Sequence, residues 1–204
     1  MSEVVLLSDL DGVLVDSSAS VDRVWRRWAA EQQIPFGAIE PVLHGVPSRQ
    51  TIARFAPHLD VASESRRLDR VQAEDVDGVA ALPGASVLLT GGYARRFAIV
   101  TSCDERLARA RLTAARLPIP PVTITSDIVE RGKPDPEAYL LGAERLGADP
   151  SECVVVEDAP AGIAAGRAAG MRVVALTTTH DPAELREADA IVADLRELPA
   201  VLAS

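Results

Sequence analysis

The chain has 204 residues, 48% hydrophobic and 25% charged, with a formal net charge of −9 at pH 7. That length allows one compact domain with a sizeable core, or a core carrying a small insert, and the balance of residues excludes a disordered chain. The negative charge, together with an aromatic content of only 3% and the pairing of Trp25 with Trp28, argues against a nucleic-acid partner.

The first apolar run, Val4–Leu7, has no basic leader and is far too short for a signal peptide or a membrane span, so no membrane partner and a cytoplasmic location are expected. It does not alternate with polar residues and reads as a buried strand of a parallel sheet. Directly after it comes Asp9-Leu10-Asp11-Gly12-Val13. Ligands of open α/β sheets gather at the carboxyl ends of strands, and two carboxylates at that position can converge on a hard cation. The ordinary alternative is an acidic strand-to-turn junction.

Residues 17–82 contain no convincing strand. Ser20–Ala30 places Val21, Val24, Trp25 and Trp28 at helical spacing, and Ser48–Phe55 and Ser63–Asp75 also read as helices. Prolines and glycines separate them. The segment is expected to be a helical insert that rejoins the core near Pro83-Gly84, giving a core of residues 1–16 and 83–204. Trp25 and Trp28 are expected in the interior of the insert, and Arg66, Arg67 and Arg70 on a solvated helix face.

Beyond residue 83, strand patterns alternate with helix patterns. Phe97–Val100, Val122–Ile124, Cys153–Val156, Val173–Leu176 and Ala190–Val192 read as strands, and Asp104–Arg116, Pro136–Leu146 and Pro160–Ala169 as helices. The first of these helices is expected to bury Leu107, Ala110 and Ala114. The alternation implies a doubly wound α/β sheet with right-handed crossovers.

Chemistry-bearing residues punctuate these strand ends. Thr101 and Ser102 follow the second strand and offer a hydroxyl and backbone N–H groups to a phosphoryl oxygen, or else an ordinary helix cap. Lys133, in Arg131-Gly132-Lys133-Pro134-Asp135-Pro136, is the sole lysine in the chain; every other basic residue of the 21 is arginine. A compact ammonium retained in so arginine-rich a chain suggests a site, with a solvated loop cation as the alternative. Val154-Val155-Val156-Glu157-Asp158 ends a buried strand in two acids that need a neutralising cation. Gly162, Gly166 and Gly170, four apart, read as a stripe that lets a helix pack closely on the sheet.

In this order the motifs resemble those of the haloacid dehalogenase-like hydrolases, specifically the phosphatases with a helical cap inserted after the first motif. Asp9-Leu10-Asp11-Gly12-Val13 matches the first motif, Thr101-Ser102 the second, Lys133-Pro134-Asp135-Pro136 the third and Glu157-Asp158 the fourth. The resemblance implies a Rossmann-like sheet of order 5-4-1-2-3. It implies Asp9 as nucleophile and Asp11 as acid and base. Thr101, Ser102 and Lys133 would hold the phosphoryl oxygens. Mg2+ would be held by Asp9, the backbone carbonyl of Asp11 and Asp158, with Glu157 supporting from behind. It places Cys103 and Cys153 at opposite sheet edges, too far apart for a disulfide. His180 and His58 receive no role.

The resemblance also bears on the other chemistries of these relatives. Asp11 is present, whereas dehalogenases lack it. The cap has no lysine, which excludes the Schiff-base phosphonate chemistry. A β-phosphoglucomutase-like mutase would need a cap histidine and lysine; the histidine position corresponds to Val21. A phosphoacceptor receiver module is shorter and has no helical insert. The loop His44-Gly45-Val46-Pro47-Ser48-Arg49 resembles that of sugar-phosphate and glycerol-phosphate phosphatases, which makes His44 and Arg49 candidates for substrate contact. The expected protein is a monomer or weak dimer acting on a small phosphorylated metabolite.

Overall fold

The computed structural model describes residues 4–43, 46–91 and 96–203. The strands are β1 (Val5–Ser8), β2 (Val15–Asp16), β3 (Ala80–Ala81), β4 (Phe97–Val100), β5 (Val122–Ile124), β6 (Cys153–Glu157), β7 (Arg172–Leu176) and β8 (Ala190–Val192). The helices are α1 (Ser18–Glu31), α2 (Phe36–Ile39), α3 (Ser48–Phe55), α4 (Val61–Glu74), α5 (Ala85–Thr90), α6 (Glu105–Ala114), α7 (Glu137–Arg145), α8 (Pro160–Ala168) and α9 (Leu198–Leu202).

Six strands form one parallel sheet in the order β5-β4-β1-β6-β7-β8. Counted over its first five strands this is the expected 5-4-1-2-3, with β8 added beside β7. The sheet is covered on both faces, which is why its strands read as continuous apolar runs. Leu6 joins an apolar layer with Leu89, Leu107 and Leu112 of α5 and α6. Its neighbours Val5 and Leu7 join the opposite layer with Tyr139 of α7 and Ile163 of α8.

Helices α1–α4 enclose a third apolar cluster of their own, built on Val24, Trp25, Trp28, Ile39, Ile52 and Leu68. Trp25 and Trp28 meet edge to face, with ring centroids 5.3 Å apart. Arg67 departs from the solvated role expected of it: its guanidinium bridges Glu31 of α1 and Glu64 of α4, and Glu64 also accepts from the Trp28 indole at 2.8 Å. The segment is also not free of strands. Ala80–Ala81 pairs antiparallel with Val15–Asp16, tying the two chain crossings between helices and sheet into a ribbon. Two-residue strands formed by distant pairing leave no periodic trace.

The glycine stripe divides. A Cβ at Gly162 would overlap the Glu157 carboxylate, and one at Gly166 would press on Val155 and Val173. A Cβ at Gly170 would meet nothing; its φ of +76° makes it the left-handed residue that ends α8. Cys103 and Cys153 are free and buried. Their strands are not sheet edges, since β4 and β6 flank β1 on either side. The thiols lie instead at opposite ends of the sheet, Cys103 beyond the end of β4 and Cys153 at the start of β6.

Candidate active site

The ends of β1, β4 and β6 bring Asp9, Thr101, Glu157 and Asp158 together, as the strand-end rule requires. Asp9 is fixed by its backbone N–H, which donates to the Val156 carbonyl at 2.9 Å. Lys133 reaches in from the loop before α7 and is 1% exposed. Its Nζ donates to Asp9 Oδ1 at 2.7 Å, to Glu157 Oε1 at 2.6 Å and to the Val100 carbonyl at 3.0 Å. The alternative of a solvated loop cation is excluded. Burial works against the ammonium, but the Asp9 and Glu157 carboxylates outweigh it and hold Lys133 well above its ordinary pKa.

Glu157 is saturated. Oε1 accepts from Lys133 and from the Tyr139 hydroxyl at 2.8 Å, and Oε2 from the N–H groups of Asp158 and Ala159 at 3.0 and 3.3 Å. Four donors use the acceptor capacity of a carboxylate. Asp158 differs: Thr179 donates to Oδ2, while Oδ1 is buried with no hydrogen-bond partner among the described residues. Thr179 and His180, on the loop after β7, also approach the Asp158 carbonyl at 3.2 and 3.0 Å. His180 therefore does have a place at the site.

Three buried carboxylates, Asp9, Glu157 and Asp158, face a single buried ammonium, two positive charges short of balance. One oxygen from each lies within 4.8 Å of the others. Burial, aided by the neighbouring carboxylates, pushes Asp9 up to about 7 and Asp158 well above the usual carboxylate range. An orphaned hard oxygen in an electron-rich, charge-deficient cluster fits a divalent cation with oxygen ligands. The saturation of Glu157 leaves Asp9 and Asp158 as the residues of this cluster that could hold such an ion. Gly12, at φ +78°, lies so close that a Cβ would overlap the Asp158 carboxylate.

Asp11 points elsewhere. Ser17 Oγ donates to its Oδ1 at 2.6 Å, while Oδ2 forms an ion pair with Arg111 Nη1 and accepts from Cys103 Sγ at 3.1 Å. Burial keeps the Cys103 thiol protonated by pushing it well up. Arg111 Nη2 continues to Gln72 Oε1 at 3.0 Å, so the Asp11 network crosses from α6 to α4.

These groups line a cleft of about 570 Å³, including its open mouth. The sheet side supplies Asp9, Asp11, Thr101, Ser102, Cys103, Leu107 and Arg111; the helical unit supplies Val21, Trp25, Ser48, Asp69 and Gln72 among others. Thr101 is not the helix cap: Asp104 caps α6 by accepting from Leu107 N–H at 2.7 Å, and Thr101 Oγ1 accepts from Cys103 N–H at 3.1 Å. Arg49 is exposed and does not line the cleft, although its neighbours Val46 and Ser48 do. His44 lies outside the described residues. Trp25 serves both the helical cluster and the cleft wall.

Sequence reasoning missed Arg111, Gln72 and Asp69. The buried face of α6 is Leu107, Ala108, Arg111 and Leu112 rather than Leu107, Ala110 and Ala114. Arg111 stands four residues after Leu107, and Gln72 four after Leu68, both on apolar stripes where a polar residue needs a reason. That spacing was the available signal.

Residues 4–170 match the haloacid dehalogenase-like hydrolase family. The chain belongs to it. It is 42% identical to hexitol phosphatase A of Escherichia coli, covering 94% of this chain and 91% of that protein. It is 34% identical to glycerol-1-phosphate phosphohydrolase 1 of Saccharomyces cerevisiae, over 89% of this chain and 77% of that protein. Among solved structures, a hydrolase from Pseudomonas syringae superposes with a TM-score of 0.85 at 28% identity, covering 98% of both chains. No helix among the described residues is long and apolar enough to cross a membrane.

Proposed function

We propose that the protein is a magnesium-dependent phosphatase that hydrolyses a small sugar or polyol phosphate through an aspartyl-phosphate on Asp9. The observation that carries this reading is the pairing of the Asp9 carboxylate with the buried Lys133 ammonium beside the orphaned Asp158 oxygen.

A carboxylate attacking a phosphate monoester meets like-charge repulsion of about 4 kcal/mol at ~4 Å and an effective dielectric of ~20. Lys133 offsets part of it and orients the Asp9 oxygens. Asp9 and Asp158, with the Asp11 carbonyl, would hold Mg2+, which when bound neutralises the cluster and draws charge from the phosphoryl oxygens. Thr101, Ser102 and Lys133 steady those oxygens. Asp9 forms the new bond to phosphorus as the ester oxygen leaves, and Asp11, once it has turned from its ion pair with Arg111 and taken up a proton, gives that proton to the leaving oxygen. Asp11 then takes a proton from the water that cleaves the acyl phosphate. Helices α1–α4 act as a cap that limits water at the reacting centre.

The relatives' names and the Ser48, Asp69 and Trp25 wall support a hydroxylated substrate. The mutase alternative is disfavoured by Val21, an apolar residue that lines the cleft where that chemistry needs histidine. The test is phosphate release from a panel of sugar and polyol monophosphates with magnesium. Turnover by the wild type and none by Asp9→Asn is expected. Comparable turnover by Asp9→Asn contradicts the assignment, and isomerised product without phosphate release would favour the mutase.

A further inference from the structure

Asp69 is a half-buried acid that the phosphatase steps leave unused. It sits on α4 and lines the cleft from the helical side. Ser48 Oγ donates to its Oδ1 at 2.6 Å and Ser65 Oγ to its Oδ2 at 3.4 Å. A carboxylate has about four acceptor positions, so two hydroxyl donors satisfy roughly half of them. Among the described residues no cation forms an ion pair with it. Arg111 acts on it only through its field, and the Arg111 charge is itself balanced by Asp11.

A partly desolvated carboxylate short of donors is matched by hydroxyl groups, which donate without adding charge. It is mismatched to a second anionic group. Beside it, Gln72 has its amide oxygen committed to Arg111, so its NH2 group is the part left to donate. Trp25 and Val21 supply apolar surface for a carbon chain. The cleft wall thus combines an acceptor, a donor and a hydrophobic face, with an excess of negative charge.

We propose that Asp69 is the specificity-determining residue, selecting neutral hydroxylated leaving groups and rejecting those that carry a carboxylate or a second phosphate. This rests on the phosphatase reading and deepens it. Burial raises Asp69 to about 6, so near neutral pH it is ionised and able to discriminate by charge.

The test compares kcat/KM for glycerol 1-phosphate with that for phosphoglycolate, which is of similar size but carries a carboxylate. The wild type should prefer the polyol ester. Asp69→Asn, of unchanged volume, should lower kcat/KM for glycerol 1-phosphate by about tenfold, the loss of one good hydrogen bond to a charged group. It should raise kcat/KM for phosphoglycolate. Asp69→Glu, which restores the charge, should keep the wild-type direction of preference. A merely structural role would move both substrates together. An unchanged ratio, or a parallel fall in both, overturns the role of Asp69 alone. Absence of phosphate release by the wild type from either ester or from the panel overturns the phosphatase reading and this inference with it.

Discussion

The carboxylate of Glu157 occupies the space that a side chain at residue 162 would fill. Four donors hold it there, and one of them is the ammonium that also holds Asp9. Gly162→Ala must therefore displace a side chain that has no slack. It should destabilise the protein by about 1–3 kcal/mol, the range for overpacking a tight interior. It should also lower kcat, because Lys133 loses one of its three anchors. Urea denaturation and steady-state phosphate release check both effects; wild-type values in both would show that Glu157 is free to move.

Lys133→Met removes the only buried ammonium facing Asp9 and Glu157. Breaking a buried ion pair by deleting one partner costs about 3–5 kcal/mol, and the midpoint of urea unfolding should fall accordingly. Lys133→Arg is not expected to rescue, because a planar fork cannot take the place of a compact charge that meets two carboxylates and a carbonyl.

Much of this was legible in the sequence. Each strand that carries a site residue is a short apolar run ending in a polar residue, so Asp9, Thr101, Glu157 and Asp158 could be placed from strand ends alone. Lys133 was marked by being the sole lysine. What escaped were contacts between elements distant in the chain. Arg111 looked like one more arginine on a solvated helix, and only the packing of α4 on α6 makes it a buried partner of Asp11 and Gln72. Asp69 is partly exposed by pattern and becomes a cleft residue because α3 brings Ser48 against it. His180 had no visible partner until the loop after β7 folded over Asp158.

Asp69 makes stability depend on pH. Its carboxyl is raised from 3.8 to about 6 in the folded protein by burial, against the lowering effect of Ser48 and partly reinforced by Asp104. The folded state therefore holds the proton more tightly than the unfolded chain. No penalty exists below pH ~4; it grows as pH rises through the window from 3.8 to about 6 and is complete above that, at up to about 3 kcal/mol. Asp69→Asn should be more stable than the wild type at pH 8, with the difference shrinking towards pH 4. Thermal melts at the two pH values check it; a constant difference would contradict the account.

The orphaned Asp158 oxygen leads to an expected effect of magnesium on stability. A cation that binds only the folded state at ~100 times its Kd stabilises by about 2.7 kcal/mol. Adding magnesium to metal-free protein should raise the unfolding midpoint, and Asp158→Asn should abolish most of that rise. An equal rise in both proteins would place the cation elsewhere.

Asp9 should become phosphorylated during turnover. Acid quenching of a single turnover of a polyol phosphate, followed by mass spectrometry of the N-terminal peptides, tests it most directly. A transient phosphoryl group is expected on Asp9, absent in Asp9→Asn and longer-lived in Asp11→Asn, where the attacking water lacks its base. Phosphate release with no label on Asp9 at any time, or a label on another residue, would contradict it.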